Sequence, residues 1–196
     1  MDVKEKKLLY HLTRIDNLES IIQYGLLPRN ALLNSPASFY DVADPQIIRE
    51  RGLGAYVPFH FHTKSAFDYA VAARLGGWEK LIYLCVTREY ARQQGFKIIP
   101  AHPLTTQNIS NLSLMDYDAG LAAIDWKLME CDCFDRNDVK QVRMAECLTN
   151  VRIPFKDFRC IFYLTPDQKD KIEALFQKME ITYWPPFIND GTKFHR

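Results

Sequence analysis

Glu146 lies in Ala145-Glu146-Cys147-Leu148, an otherwise apolar run. A carboxylate there is costly to bury unless it is paired or serves a site. Such a group can move a proton or steady a developing positive charge. His11 stands in Leu8-Leu9-Tyr10-His11-Leu12-Thr13, and Arg51 follows a proline-rich loop. Lys64-Ser65-Ala66 with Tyr69 follows an aromatic stretch. Singly, each has a plainer account: His11 as a satisfied core histidine, Arg51 as a solvated helix-end charge. Cys131-Asp132-Cys133 and the pair His60 and His62, which would point the same way from a strand, are the only hints of a metal. No second Cys/His pair stands at zinc-like spacing, so no metal is expected. Neither a phosphate-cradling glycine loop, a GxSxG elbow nor an HExxH helix is present, and Gly52-Leu53-Gly54 alone carries no weight.

The elements that must position these residues follow from patterning. Residues 8–13 read as a strand running into a helix, with Asp16 as N-cap, Glu19 at capping-box spacing and Gly25 closing it. Residues 28–45 read as a loop, with helix resuming over 45–51. Residues 56–61 read as a strand and 65–74 as a helix. The continuous β-branched and aromatic run 81–86 reads as a buried strand. Further strands are expected at 96–100, 145–149 and 160–164. Residues 103–120 read as irregular, 126–130 as helical, 166–180 as an amphipathic helix, and 183–187 as a last strand or extended tail. Strands and helices do not alternate regularly, which argues α+β rather than a doubly wound sheet.

The 196 residues fit one domain, 1–196, large enough to fold without disulfides or metal. With 25 Lys+Arg against 24 Asp+Glu the net charge is +1, so any nucleic-acid site must be a local patch. Aromatic residues at 13% point to a tightly packed core or a stacking surface. The opening residues lack the apolar run of a signal peptide and no window is long enough to span a bilayer. With five cysteines, an odd number, the expectation is a reduced cytoplasmic protein.

Four blocks together resemble the DarT family of NAD-dependent DNA ADP-ribosyltransferase toxins. LYHLTRIDNLESIIQYGLL (9–27) is similar to the family opening IYHITHIDNLxxILxxGLL, and DPQIIRER (44–51) to its helix ending in a functional Arg. YVPFHFHTKSAFDYA (56–70) resembles the VPFYFxxRSPMLYxI block, and RMAECLTNVRIPF (143–155) the QAEFLV strand that bears the catalytic Glu. A first-strand His, a Ser-Ala-x-x-Tyr helix start and a late-strand Glu also echo the His-Tyr-Glu set of poly-ADP-ribosyltransferases.

The resemblance implies the split ADP-ribosyltransferase fold, α+β, with NAD in a cleft between two small mixed or antiparallel sheets. It implies transfer of ADP-ribose from NAD, as co-substrate, to a nucleobase of single-stranded DNA. Glu146 and Arg51 would be catalytic. His11, Thr13, Asn17, His60, Ser65 and Tyr69 would bind NAD, and His102, Lys64 and Arg143 the acceptor strand. A macrodomain antitoxin would be the partner. Two departures fall where NAD and base should meet: His60 replaces the family's Tyr, and Thr63-Lys64-Ser65-Ala66 replaces Arg-Ser-Pro-Met. An imidazole stacks as a phenol does but also titrates. The residues leave thymine, guanine and adenine open as target base, and transfer to RNA or protein, or a non-catalytic nucleotide-binding module, as alternatives.

Overall fold

The structure is a computed structural model that describes residues 3–42, 53–63, 65–101, 114–133, 135–182 and 187–195. A short 3₁₀ turn, Val3–Glu5, leads into β1 (Leu8–Arg14), α1 (Leu18–Tyr24), the single turn α2 (Arg29–Leu32) and β2 (Val57–His60). Then come α3 (Ala66–Leu75), β3 (Leu81–Thr87), α4 (Arg88–Gln93), β4 (Lys97–Ile99), β5 (Met115–Asp116), α5 (Tyr117–Ala123), α6 (Trp126–Glu130) and α7 (Asn137–Arg143). The chain closes with β6 (Glu146–Thr149), β7 (Cys160–Tyr163), α8 (Pro166–Lys178) and β8 (Ile188–Asp190).

The strands form one sheet in the order β5-β4-β6-β2-β1-β3-β7-β8, antiparallel except for the β7–β8 pair. β1 pairs with β3 along its whole length, from Leu8 to Arg14, but meets β2 only at Tyr10–His60. The expected two small sheets are thus two four-stranded halves joined along a seam one register pair wide.

β3 is buried from Leu81 to Val86 because both faces of the sheet are covered here. One face packs Leu9, Phe59, Leu84, Phe96 and Cys147 against helical residues that include Leu18, Ile21, Ile172 and Phe176. On the other, Tyr10, Leu12, Tyr83 and Cys85 pack beneath Val71 and Ala72 of α3. Gly25, at φ 80°, ends α1 and lets Leu26 bridge Ile153, since a Cβ there would lie 2.7 Å from the Ile153 carbonyl.

Two expectations need correction. Asp16 does not cap α1: it pairs with Arg14, residues 15–17 form a 3₁₀ turn, and Asn17 becomes the N-cap. The described part of the stretch read as irregular, 114–120, carries β5 and the start of α5. There Gly120 allows so close an approach to β4 that a Cβ would lie 2.5 Å from Ile98 Cβ. The strand or extended tail expected over 183–187 lies outside the described residues except for Phe187, after which a strand at 188–190 pairs with β7 from Ile161–Ile188. The expected helix over 45–51 lies outside the described residues.

Candidate active site at the seam

Register sets the site. Across one face, Ile99, Glu146, His60, Tyr10, Cys85 and Cys160 stand side by side on β4, β6, β2, β1, β3 and β7. Glu146 and His60 are therefore direct cross-strand neighbours, close enough for their side chains to interact. Alternation sends Cys147 and Phe59 to the opposite, apolar face, and Glu146, only 8% exposed, stays at the polar end of the row. The His60 ring, also buried, stacks on Phe67 with centroids 5.8 Å apart, and its Nδ1 has no hydrogen-bond partner among the described residues.

His11 stands on the other side of the seam. Its Nδ1–H donates to the Pro58 carbonyl at 2.8 Å, tying β1 to β2 where ladder pairing stops. A carbonyl can only accept, so the neutral ring must present Nε2 as a bare acceptor. That nitrogen is buried and without a partner among the described residues. Burial pulls the His11 pKa down to about 4, against the opposing effect of the Pro58 bond. The charges of His60 and Arg29 push it the same way as burial, so the ring is neutral at pH 7. A cavity of about 30 Å³ between His11, Leu27, Arg29, Leu32, Phe39 and Pro58 adjoins it. It has room for about one water.

The remaining candidates divide. Thr13 and Asn17 are fully buried and already engaged: Asn17 Nδ2 donates to Thr13 Oγ1 and to the Tyr40 carbonyl, both at 3.0 Å. Its Oδ1 accepts from Tyr40 N at 2.7 Å. The pair clamps Tyr40, a half-exposed ring backed by the Arg14 guanidinium 4.5 Å from its centroid. Ser65 is the N-cap of α3 in a reciprocal capping box with Asp68. Tyr69 is exposed on α3, edge-on to Trp78, and close enough to Arg143 to act on its charge. Arg143 is buried at the end of α7; burial lowers its pKa while Asp132, Cys131 and Tyr69 oppose that shift. Arg51, Lys64 and His102 lie outside the described residues.

Sequence reading missed Tyr40 and Asp68. Asp68 is completely buried; desolvation raises its pKa, and the nearby His60 charge and its bonds to Ser65 oppose the rise. The Ser65-x-x-Asp68 spacing signals this box, whereas nothing local marks Tyr40. Among the described residues no three His, Cys, Asp or Glu side chains gather as a metal site. No helix among them is long and apolar enough to cross a membrane.

A seam flanked by a buried carboxylate, one imidazole on its own strand's neighbour and a second imidazole offering a bare acceptor can hold a sugar hydroxyl beside a stabilising negative charge. Comparison with known proteins gives this arrangement a context. A family model described as "ssDNA thymidine ADP-ribosyltransferase, DarT" matches residues 10–191. A DNA ADP-ribosyl transferase of Thermus sp. (strain 2.9) is 26% identical over 166 residues, covering 75% of this chain and 76% of that protein. Thermus sp. 2.9 DarT in complex with ADP-ribosylated ssDNA superposes with a TM-score of 0.80 at 20% identity, covering 97% of this chain and 96% of that one. The Thermosipho africanus DarTG structure in complex with ADP-ribose gives 0.70 at 14% identity, covering 96% of this chain and 51% of that one.

Proposed function

This chain belongs to the DarT family of NAD-dependent single-stranded-DNA ADP-ribosyltransferases, and we propose that it modifies a thymidine base with Glu146 as the catalytic carboxylate. The observation that carries the assignment is the register of Glu146 opposite His60 beside the seam that His11 bridges. The reaction breaks the bond between nicotinamide and the ribose anomeric carbon and passes through an oxocarbenium-like transition state. A carboxylate facing that carbon stabilises the cation, holds a ribose hydroxyl and accepts the proton released by the thymine ring nitrogen.

NAD is the co-substrate, and the orphaned acceptor of His11 fits it: Nε2 needs a donor, and a ribose hydroxyl is one. His60 lines the nicotinamide side. Thr13 and Asn17 act through Tyr40, and Ser65 through the start of α3. Tyr69 adds to the NAD side, and Arg143, with Lys64 and His102, serves the acceptor strand. Arg51 suits the diphosphate or a polarised base carbonyl, since a guanidinium is always charged and fork-shaped.

The chain acts as the toxin of a pair whose partner is a macrodomain that removes ADP-ribose from DNA; its likeness to Thermosipho africanus DarTG supports that arrangement. Its five free cysteines suit a reducing cytoplasm.

The test is incubation of the protein with NAD and a thymidine-containing DNA oligonucleotide. Nicotinamide release and a mass gain of one ADP-ribose are expected, with the adduct on thymidine after digestion to nucleosides. Modification of an RNA oligonucleotide alone, or of another base, would overturn the assignment.

A further inference from the structure

α6 ends at Cys131, whose N–H donates to the Leu128 carbonyl at 3.2 Å. The chain then turns back, and Arg136 N–H donates to the Cys133 carbonyl at 3.2 Å just before α7 begins. This turn holds the two thiols of Cys131-Asp132-Cys133 against each other at the surface. Cys133 N–H donates to Cys131 Sγ at 3.3 Å, and the Cys133 thiol donates to the same sulfur. Cys133 is exposed and Cys131 half-exposed.

The two sulfurs are not equivalent. The bonds from Cys133, thiol first and N–H second, hold the Cys131 thiol below its ordinary range, and the Arg136 guanidinium adds to them. Desolvation and the Asp132 carboxylate oppose that shift. Arg136 is itself oriented by Asp138, its Nε–H donating to Oδ1 at 3.0 Å. Cys133, as the donor, is shifted up instead. A thiolate is the nucleophilic form of a thiol, so Cys131 is the attacking sulfur and Cys133 the resolving one.

The other three cysteines lack this combination. Cys85 and Cys147 have no exposed surface, and burial pushes both thiols up. Cys160 faces Cys85 across the β3–β7 pair and is 5% exposed. Among the described residues no third His, Cys, Asp or Glu joins Cys131 and Cys133 to complete a metal site. Paired, accessible thiols of unequal acidity are suited to oxidation.

We propose that Cys131 and Cys133 are a redox modification site at which hydrogen peroxide closes an intramolecular disulfide. The Cys131 thiolate attacks one peroxide oxygen; the S–O bond forms, the O–O bond breaks, and the departing hydroxide takes the Cys133 proton to become water. The Cys133 sulfur then attacks the sulfenic sulfur of Cys131; the S–S bond forms, the S–O bond breaks, and the second hydroxide is protonated by solvent. The two sulfurs give up two electrons and the peroxide ends as two waters. The bridge removes the negative charge that Cys131 sets beside Arg143. The inference rests on the thiols and not on the transferase reading.

The experiment treats the whole protein with a slight excess of hydrogen peroxide, unfolds it in N-ethylmaleimide to block the remaining thiols, and digests it with trypsin. The peptide 128–136 holds Cys131 and Cys133 and none of the other cysteines. It should be recovered unblocked and two hydrogens lighter, with Cys85, Cys147 and Cys160 blocked; dithiothreitol before blocking should reverse the change. Cys133→Ser should stop at a sulfenic acid on Cys131 that dimedone traps, and Cys131→Ser should react with peroxide about ten-fold more slowly. Both variants should unfold at nearly the wild-type temperature, since neither side chain is buried. A fully blocked peptide 128–136 after peroxide, oxidation confined to Cys85 and Cys160, a bridge between two chains, or equal rates in the two variants would refute the site.

Discussion

The two sides of the seam use the same side chain differently. His11, on β1, has one ring nitrogen committed to the Pro58 carbonyl and is held neutral by burial. His60, one strand away, stacks on Phe67, and its neighbours are the carboxylates of Glu146, by register, and Asp68, by charge. One imidazole is locked as an acceptor in a buried wall; the other sits between two carboxyl groups. In the function proposed above, β1 holds the dinucleotide and the β2–β6 pair faces the bond that breaks, so a single ladder pair divides binding from reaction.

The largest expected effect tests the reacting side alone. Glu146→Gln should lower turnover by about 10²–10⁴-fold while NAD affinity stays within several-fold, because the lost interaction belongs to the transition state. Nicotinamide release and calorimetric titration of NAD read the two halves of that statement. A variant that turns over at near the wild-type rate would remove the distinction between the two sides.

The binding side has a pH signature. His11 titrates near its ordinary value of 6.5 when unfolded and at about 4 when folded, so the unfolded state takes up the proton first. Its contribution is fully present above pH 6.5 and is lost as pH falls towards 4, about 3 kcal/mol in all. The raised pKa of Asp68 slopes the other way, being favourable at low pH and lost as pH rises, so the comparison needs a reference. Denaturant unfolding of wild type and His11→Gln from pH 7 to 4 supplies one: Asp68 is common to both, and only the wild type should show the His11 loss. Parallel curves would mean that the ring is not held neutral.

A smaller effect separates binding from catalysis directly. His11→Ala should weaken NAD by about ten-fold, the worth of one hydrogen bond, and slow saturated turnover less. Equal NAD loss in His11→Ala and Glu146→Gln would show that the roles are wrongly divided. The smallest effect concerns the frame. Ser65→Ala removes the α3 cap and should cost about 1 kcal/mol, lowering Tm by roughly 2–4 °C. An unchanged Tm would mean that Ser65 is free to contact a ligand instead.

Much of the scaffold could be read from the residues because it rests on local alternation. The run 81–86 is a strand buried on both faces, and Glu146 stands opposite Cys147 by period-two arithmetic. What escaped reading depends on distant competition for the same group. Asp16 looked like a cap until Arg14 took its carboxylate, and nothing local showed that the Asn17 amide would hold Thr13 and Tyr40. Arg88 gave no signal, since the contacts that bury it exist only once Val3, Lys4, Phe61 and Trp126 surround it. Tyr117 fell in a stretch read as irregular, where Gly120 lets the helix approach Ile98.

The register of β2 against β6 also determines which changes in chain length the protein can survive. Removing one residue between Val57 and His60 would turn the strand over, sending the imidazole towards Cys147 and Ile98 and a phenyl ring towards Glu146. No substitution in the segment does as much, because each alters one side chain whereas a frameshift of the pleat exchanges two surfaces at once. The exposed stretch at Leu33 and Asn34 is under no such discipline, and insertions there lengthen a loop at little entropic cost. Spacing in β2 is therefore itself part of the candidate site, as much as any atom in it.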